Sequence, residues 1–212
     1  MPVELPLSLD MKYGDRWMVG GLRAGRDYLT AIDLLTASPA ADGDAPFSAR
    51  FLGMTADPGR WHAVSEDTVA TDTPAEVTVH GGPLKGQWVF LADTPPRPPR
   101  PAPDYKKHIA PPSILRSGSC VSAQFTAGAV AFEQIMEVLR STALAGRPGQ
   151  KWVVSALVGT PDCLRPIPAD HARTLHLEIE EGTFVTARFS IGPGLRGRLL
   201  LSERPSSAPY DA

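Results

Sequence analysis

A proline-rich stretch in the middle of the chain constrains its fold more than any other feature. Residues 94–112 read TPPRPPRPAPDYKKHIAPP, with eight prolines among 19 residues. Proline lacks a backbone N–H and fixes φ, so this segment favours extended polyproline II over a sheet or helix interior. Because the sequence on both sides has the pattern of folded protein, we predict a connector. A PxxP ligand for a signalling domain is the functional alternative.

The position of this stretch predicts how the 212 residues are organised. Each flanking part is close to the common domain size of about 100 residues. We predict an N-terminal unit over residues 1–94, a linker over 95–112, a C-terminal unit over 113–204 and a flexible tail over 205–212.

Composition narrows the class of protein. Lys and Arg number 21 against 23 Asp and Glu, a net charge of −2, so the chain lacks the positive field of a general nucleic-acid binder. No apolar stretch approaches the roughly 18 to 20 residues of a membrane-spanning helix, and the N-terminus has no signal-peptide pattern. Two cysteines, Cys120 and Cys163, supply neither a disulfide framework nor a four-cysteine zinc site. We expect a cytoplasmic protein without membrane, nucleic acid, metal or cofactor.

The N-terminal part has mostly strand patterns and one helix pattern. The predicted strands are residues 3–9, 16–19, 47–54 and 61–64, followed by a hairpin over 76–91 that turns at Gly81-Gly82-Pro83. A helix is predicted over 26–37, where Tyr28, Ile32 and Leu35 recur at spacings of 4 and 3.

The C-terminal part begins with the strongest helix pattern in the chain. An apolar stripe recurs at spacings of 3 and 4 through Val121, Phe125, Gly128, Ala129, Phe132, Ile135, Met136 and Leu139. Ser117 or Ser119 is a candidate cap at its start, and Gly146 with Pro148 ends it. Strands are predicted over 152–158, 174–179, 183–191 and 195–202.

The two parts end on similar sequences. Residues 82–91 read GPLKGQWVFL and residues 192–201 read GPGLRGRLLL, which match once Gly194 is treated as an insertion. In both parts a helix precedes strands, then this Gly-Pro turn and a final strand. We therefore predict an α+β protein made of two copies of one unit.

This order of elements resembles the hotdog fold, in which a curved antiparallel sheet wraps round a central helix. Two such units joined by a linker are similar to double-hotdog proteins, which include acyl-CoA thioesterases and acyl dehydratases. The local likenesses are residues 122–129 (SAQFTAGA), similar to the start of hotdog helices, and residues 164–170 (LRPIPAD), similar to the segment before the last strands. Gly20-Gly21 resembles the Gly-Gly entrance to the first helix of TesB-like thioesterases.

The resemblance implies binding and hydrolysis of an acyl thioester carried by CoA or an acyl-carrier protein. Hydrolysis needs donors that polarise the carbonyl and a base that activates water. Helix N-termini offer such donors, which makes Gly21, together with Gly118, Ser119 and Cys120, candidate substrate-binding residues; an ordinary turn is the alternative role for these glycines. Asp27 is the candidate base; its alternative role is to stabilise the helix dipole. Gln124 is the candidate for orienting water or substrate; its alternative role is a structural hydrogen bond.

Two other functions remain open. A non-catalytic binding or assembly subunit of the same fold is favoured because the predicted second helix has no acid before Glu133. An acyl dehydratase or hydratase is the second alternative, although no histidine begins the HxxxGxxxxP pattern that this chemistry carries in polyketide dehydratases. Pairing of units would cover exposed sheet edges, so a homodimer is expected.

Overall fold

The computed structural model describes residues 17–19, 28–64, 73–82, 84–92, 113–124, 128, 130–147, 149–167 and 174–204. Three predicted features lie outside these residues: the strand over 3–9, the proline-rich linker over 95–112 and the tail over 205–212. Their predictions therefore stay as they are.

Eleven strands of the described chain form one antiparallel sheet. The strands are β1 (Met18–Val19), β2 (Phe47–Phe51), β3 (Gly59–Ala63), β4 (Ala75–Val79), β5 (Gly86–Ala92), β6 (Ile114–Ser117), β7 (Cys120–Gln124), β8 (Trp152–Gly159), β9 (Thr174–Glu181), β10 (Val185–Ile191) and β11 (Leu195–Glu203). Their order across the sheet is β1-β3-β5-β4-β2-β8-β11-β10-β9-β7-β6. Every strand predicted from 47 onward is present, with its ends moved by a few residues.

The N-terminal and C-terminal strands meet at the centre of this sheet. β2 pairs with β8 in antiparallel register, Phe47 opposite Gly159 and Arg50 opposite Ala156. The two predicted units therefore share one set of ladder hydrogen bonds. The domain division itself stays a prediction.

Side-chain alternation gives the sheet two different faces. In β9, Leu175, Leu177 and Ile179 are buried, whereas His176 and Glu178 between them are exposed. We call the face with the buried side chains the inner face and the other the outer face. The described helices pack on the inner face, where their apolar side chains join those of the strands in one core.

Two α-helices and two short 3₁₀-helices form this helix layer. They are α1 (Ala31–Thr36), η1 (Pro39–Ala41), α2 (Ala131–Ser141) and η2 (Pro161–Leu164). In α2, Phe132, Ile135 and Leu139 are buried, as their spacing predicts. The described part of the chain has only one helix longer than seven residues, so an arrangement of two sheets each wrapped round a long central helix is not confirmed.

The predicted start of the second helix is wrong. Residues 114–117 and 120–124 are the strands β6 and β7, and Gly118, at φ 59°, lies in the turn between them. Val121 and Ala123 are buried while Cys120 and Gln124 are exposed, which is an alternation of period 2. The apolar stripe fitted a helix because Val121 and Phe125 satisfy a spacing of 4 as well, and periodicity alone does not separate the two over so few residues.

The internal repeat does not extend to the strand order. β5 lies between β3 and β4, and β4 borders the central β2. β11, which the repeat aligns with β5, instead lies between β10 and the central strand β8. The final strands of the two halves therefore occupy different places, so the matching Gly-Pro sequences do not mark two copies with one connectivity.

Candidate functional site

The helix layer on the inner face contains the most unusual polar side chain among the described residues. Gln134 of α2 has only 1% of its surface exposed. Its amide nitrogen Nε2 has no hydrogen-bond partner within the described structure. A buried donor left unpaired costs about 1 to 3 kcal/mol, so the folded chain carries a cost that a bound acceptor would remove.

A second unpaired donor lies on a neighbouring element. Thr160 precedes η2, which contacts α2. Its hydroxyl Oγ1 is buried without a partner in the described residues, and it does not cap the 3₁₀-helix that follows. Two elements in contact thus each present one unpaired hydrogen-bonding group, although buried polar groups in proteins are nearly always paired.

The start of α2 is anchored to the segment after η2. Gly128 donates its N–H to the carbonyl of Ile167 at 2.9 Å, and Val130 forms a β-bridge with Pro166. The N-cap residue Val130 has no side chain that caps the first turn. The positive end of this helix is therefore not covered by its own N-cap side chain, which favours an electron-rich ligand atom there.

The first helix contains the buried carboxylate of Asp33, which is 3% exposed. Asp33 accepts hydrogen bonds from the backbone N–H of Thr30 at 3.0 Å and from the Thr30 hydroxyl at 2.5 Å. In return, the Thr30 hydroxyl accepts from the N–H of Asp33. This reciprocal capping box explains how α1 begins although it is only six residues long.

Cys163 lies in η2, where its N–H donates to the carbonyl of Thr160 at 3.0 Å, but its chemistry is unsuited to attack on a substrate. Burial, assisted by the nearby Asp162 charge, raises the pKa of the Cys163 thiol to about 12. The thiolate is the nucleophilic form of cysteine. Cys163 is therefore a neutral packing residue at physiological pH.

The structure places four of the six sequence-predicted site residues outside this layer. Gly118 and Ser119 lie in the exposed turn between β6 and β7, and Cys120 is an exposed strand residue. Gln124 lies on the outer face, where its Nε2 donates to Thr174 Oγ1 at 3.2 Å. Gly118, Ser119 and Cys120 were selected as donors at a helix start, and no helix starts at them. Their roles and that of Gln124 stay predictions.

The remaining two candidates, Gly21 and Asp27, lie outside the described residues. Their predicted roles in substrate binding and as the base are therefore unchanged.

Gln134 is not among the site residues predicted from the sequence, although the sequence contains a signal for it. Glu133 and Glu137, four residues apart, mark the more exposed face of α2. Gln134 instead shares a face with Ala131 and Val138, at spacings of 3 and 4, and both are buried. A polar residue on an apolar helix face marks a candidate site, but only the packed fold shows that its amide lacks a partner.

The described residues contain neither a candidate metal site nor a candidate membrane-spanning helix. They contain no group of three or more His, Cys, Asp or Glu side chains placed to hold a metal ion. None of their helices is long and apolar enough to cross a membrane.

Comparison with known proteins gives structural likenesses but no sequence match. No protein-family profile and no curated protein sequence matches the chain. Among solved structures, it is similar to a TesB protein from Mycobacterium avium subspecies paratuberculosis, with a TM-score of 0.48, 13% identity and coverage of 90% of this chain and 94% of that one. It is also similar to an acyl-CoA thioesterase II from Mycobacterium marinum, with a TM-score of 0.42, 14% identity and coverage of 83% and 88%.

A third similar structure is the dehydratase domain from the CurF module of the curacin polyketide synthase. It has a TM-score of 0.36 and 9% identity, and the match covers 96% of this chain and 97% of that one. The resemblance to TesB-type thioesterases and hotdog-fold proteins is therefore architectural and weak.

Proposed function

We propose that this protein binds an acyl thioester, carried by CoA or an acyl-carrier protein, and hydrolyses it. The observation that carries the proposal is the buried, unpaired amide donor of Gln134 in the helix layer. A thioester carbonyl oxygen is an acceptor that such a donor suits. The apolar surroundings of Gln134 suit the acyl chain attached to that carbonyl.

Gln134 and Thr160 have complementary chemistry for this reaction. Hydrolysis adds water oxygen to the carbonyl carbon, moves negative charge onto the carbonyl oxygen, and then breaks the C–S bond as the thiol takes up a proton. Donors aimed at that oxygen stabilise the charge that develops in the transition state. We assign the amide of Gln134 to this role, with the hydroxyl of Thr160 as a second donor. Asp27 remains our proposed base that takes the proton from water.

The architecture that goes with this proposal is a pair of hotdog-like units whose central helices are α1 and α2. The acyl chain would run between the helices and the inner face of the sheet. A homodimer in the cytoplasm completes the proposal.

A non-catalytic binding subunit is the alternative that one specific observation favours. Asp33 is the only buried carboxylate among the described residues, and its Oδ2 accepts hydrogen bonds from the backbone N–H and the hydroxyl of Thr30. The described part of the helix layer therefore offers a donor for a carbonyl, whereas its one buried carboxylate belongs to the cap of α1.

An acyl dehydratase or hydratase has less support. That chemistry needs a histidine paired with a carboxylate in the pocket. The described histidines His62, His80 and His176 are exposed, and the hydrogen-bond partners of His80 and His176 are Ser48 and Ser122.

The test is release of free thiol from acyl-CoAs of graded chain length by the wild type and by Gln134→Met. This substitution keeps the volume and removes the donor. Gln87→Met, at an exposed position on β5, is the matched control. We expect turnover by the wild type and the control, and a loss of at least about 100-fold in Gln134→Met, as for removal of an oxyanion donor.

Three results would separate the alternatives. Equal turnover by Gln134→Met and the wild type would overturn the role of Gln134. If the wild type binds acyl-CoA by calorimetry without turning it over, and Gln134→Met binds it more weakly, the binding-subunit alternative is supported. Absence of both from every acyl-CoA and acyl-carrier protein tested would sink the acyl-thioester proposal.

A further inference from the structure

The outer face of the sheet holds a pair of like charges directly opposite each other. The register of β10 and β11 places Arg188 across from Arg198. Both side chains are exposed. Like charges at directly opposite positions destabilise a sheet, so this pair has a cost within the folded chain.

Only one of these two arginines is neutralised by the sheet itself. The guanidinium nitrogens of Arg188 lie 3.3 Å from Glu178 and 3.5 Å from Glu180 on β9. Among the described residues, no carboxylate oxygen lies within 4.0 Å of the guanidinium of Arg198. The same is true of Arg196, which lies two residues away on the same face.

An apolar surface adjoins these charges. Val158 of β8 lies directly opposite Arg198 and is 48% exposed. Leu200 and Ala156 form the next pair along the same face and are half-buried. We call Arg196, Arg198, Leu200, Ala156 and Val158 the outer-face patch. Arginine beside exposed apolar side chains is typical of the central part of protein interfaces.

We propose that the outer-face patch docks an amphipathic helix of an acidic partner protein. Arg196 and Arg198 are about 6.6 Å apart along the strand, and β8 lies about 4.8 Å from β11. Residues at i and i+3 or i+4 of a helix have Cβ atoms about 5 to 6 Å apart, a spacing from which two glutamate side chains can reach both arginines. One helix can therefore place two carboxylates on the arginines and an apolar row on Val158 and Leu200.

The shape and charge of the patch favour this occupant over two others. A small phosphate ligand requires a concave site that buries most of its surface, whereas these residues lie on the exposed face of a sheet. A second copy docked through a two-fold axis centred on the patch would place four arginines in one interface, and the patch contains no carboxylate to pair with them. This inference is independent of the proposed thioester chemistry, since the patch lies on the face of the sheet opposite the helix layer.

The experiment uses a fluorescent synthetic helical peptide with glutamates at i, i+4 and i+7 beside a row of leucines. Its matched partner has glutamine in place of each glutamate. Binding to the full chain is measured by anisotropy at about 50 and 300 mM salt. We expect saturable binding of the glutamate peptide to the wild type at low salt. Binding should be at least about tenfold weaker in each of three cases: at the higher salt concentration, with the glutamine peptide, and with the double variant Arg196→Ala/Arg198→Ala. Arg140→Ala, an exposed arginine on α2, should bind as the wild type does.

Each other result contradicts the proposal. Equal affinity in the double variant, shown to be folded by circular dichroism, would place the peptide elsewhere. No saturable binding below about 1 mM would exclude an acidic helix as the occupant. Binding of pyrophosphate that depends on both arginines, without peptide binding, would indicate a small anion. Concentration-dependent self-association that is lost in the double variant would indicate a second copy.

Discussion

Arg165 donates a hydrogen bond from Nη2 to the backbone carbonyl of Gly43 at 2.8 Å, joining positions 122 residues apart. The same nitrogen donates to the carbonyl of Ala41 at 3.2 Å. Arg165 follows η2 in the C-terminal half, and the two carbonyls lie at the last residue of η1 and two residues after it in the N-terminal half. One side chain therefore ties the two halves together beside the central pairing of β2 with β8.

Loss of this tie should destabilise the protein. We expect Arg165→Ala to lower the free energy of unfolding by about 1.5 to 3 kcal/mol, the range for hydrogen bonds made by charged groups. Lysine cannot reproduce the guanidinium fork, so Arg165→Lys should recover little. Urea unfolding monitored by tryptophan fluorescence measures both effects.

The carboxylate of Asp44 provides the control. It lies 3.4 Å from Arg165 Nη1, but its side chain is 98% exposed. Since solvent screens such pairs, Asp44→Ala should change stability by less than about 0.5 kcal/mol. A larger loss for Asp44→Ala than for Arg165→Ala would show that the ion pair, and not the carbonyl bonds, holds the halves together.

Gln134→Met should leave stability unchanged or raise it by about 1 kcal/mol or more, because the change removes a buried donor that has no partner. Thermal unfolding measured without ligand checks this expectation. Combined with the loss of thioester turnover proposed above, the result would be a trade of stability for function. A clear drop in melting temperature would show instead that Gln134 makes a stabilising interaction in the free protein.

The two thiols should differ in reactivity. Cys120 is exposed and Cys163 is buried. A thiol-specific colorimetric reagent should therefore modify one cysteine rapidly in the native protein and the second only on unfolding. Rapid reaction of the single remaining thiol of Cys120→Ala, or of both thiols in the native wild type, would contradict the burial of Cys163.

Alkaline pH should lower stability through Cys163. Its thiol has a pKa of about 12 in the folded protein and about 8.5 when unfolded. The unfolded chain therefore releases this proton first as pH rises. The stabilisation is fully present below about pH 8.5 and falls by about 1.4 kcal/mol per pH unit above it, until the folded thiol ionises near pH 12.

Urea unfolding of wild type and Cys163→Ala between pH 8 and about 10.5 isolates this contribution. The gap in stability between the two proteins should narrow as pH rises, while Cys120→Ala should follow the wild type. A constant gap would mean that Cys163 ionises equally in both states.

Gly197 on β11 should not tolerate a side chain. A Cβ there would lie 2.2 Å from Cζ of Phe189 and 2.4 Å from the backbone carbonyl of Val158. We expect Gly197→Ala to destabilise the protein by about 1 to 3 kcal/mol, as overpacking does. The Val158 carbonyl belongs to β8, which is paired with β11 and cannot move away without disturbing that pairing. Gly194→Ala is the control, since its Cβ would meet nothing within 4 Å. Equal melting temperatures for the two variants would contradict this packing.

Local sequence patterns were sufficient for most strands and one helix. Gly81 and Gly82 adopt φ values of 85° and 71° in the predicted hairpin turn, a conformation that glycine adopts without steric cost. Phe132, Ile135 and Leu139 form the buried stripe of α2 as their spacing requires. These features depend on contacts between near neighbours, and so the sequence indicates them directly.

The same patterns were ambiguous where two periods overlapped. Val121 and Phe125 fit a helical spacing, yet Val121 lies in β7, paired with Leu177 of β9. A distant strand supplies the hydrogen bonds that make this segment a strand, and no local signal contains that partner. The candidate residues Gly118, Ser119, Cys120 and Gln124 were tied to a helix start for this reason.

The sequence by itself therefore determined which segments of this protein are apolar, where the chain turns and how most strands alternate. Only the tertiary structure decided that β2 and β8 join the halves in one sheet, that Gln134 is buried without a partner, and that Arg188 faces Arg198. These relations arise between residues far apart in the chain. Their energies depend on burial and on which groups remain unpaired, and both quantities exist only once the chain has packed.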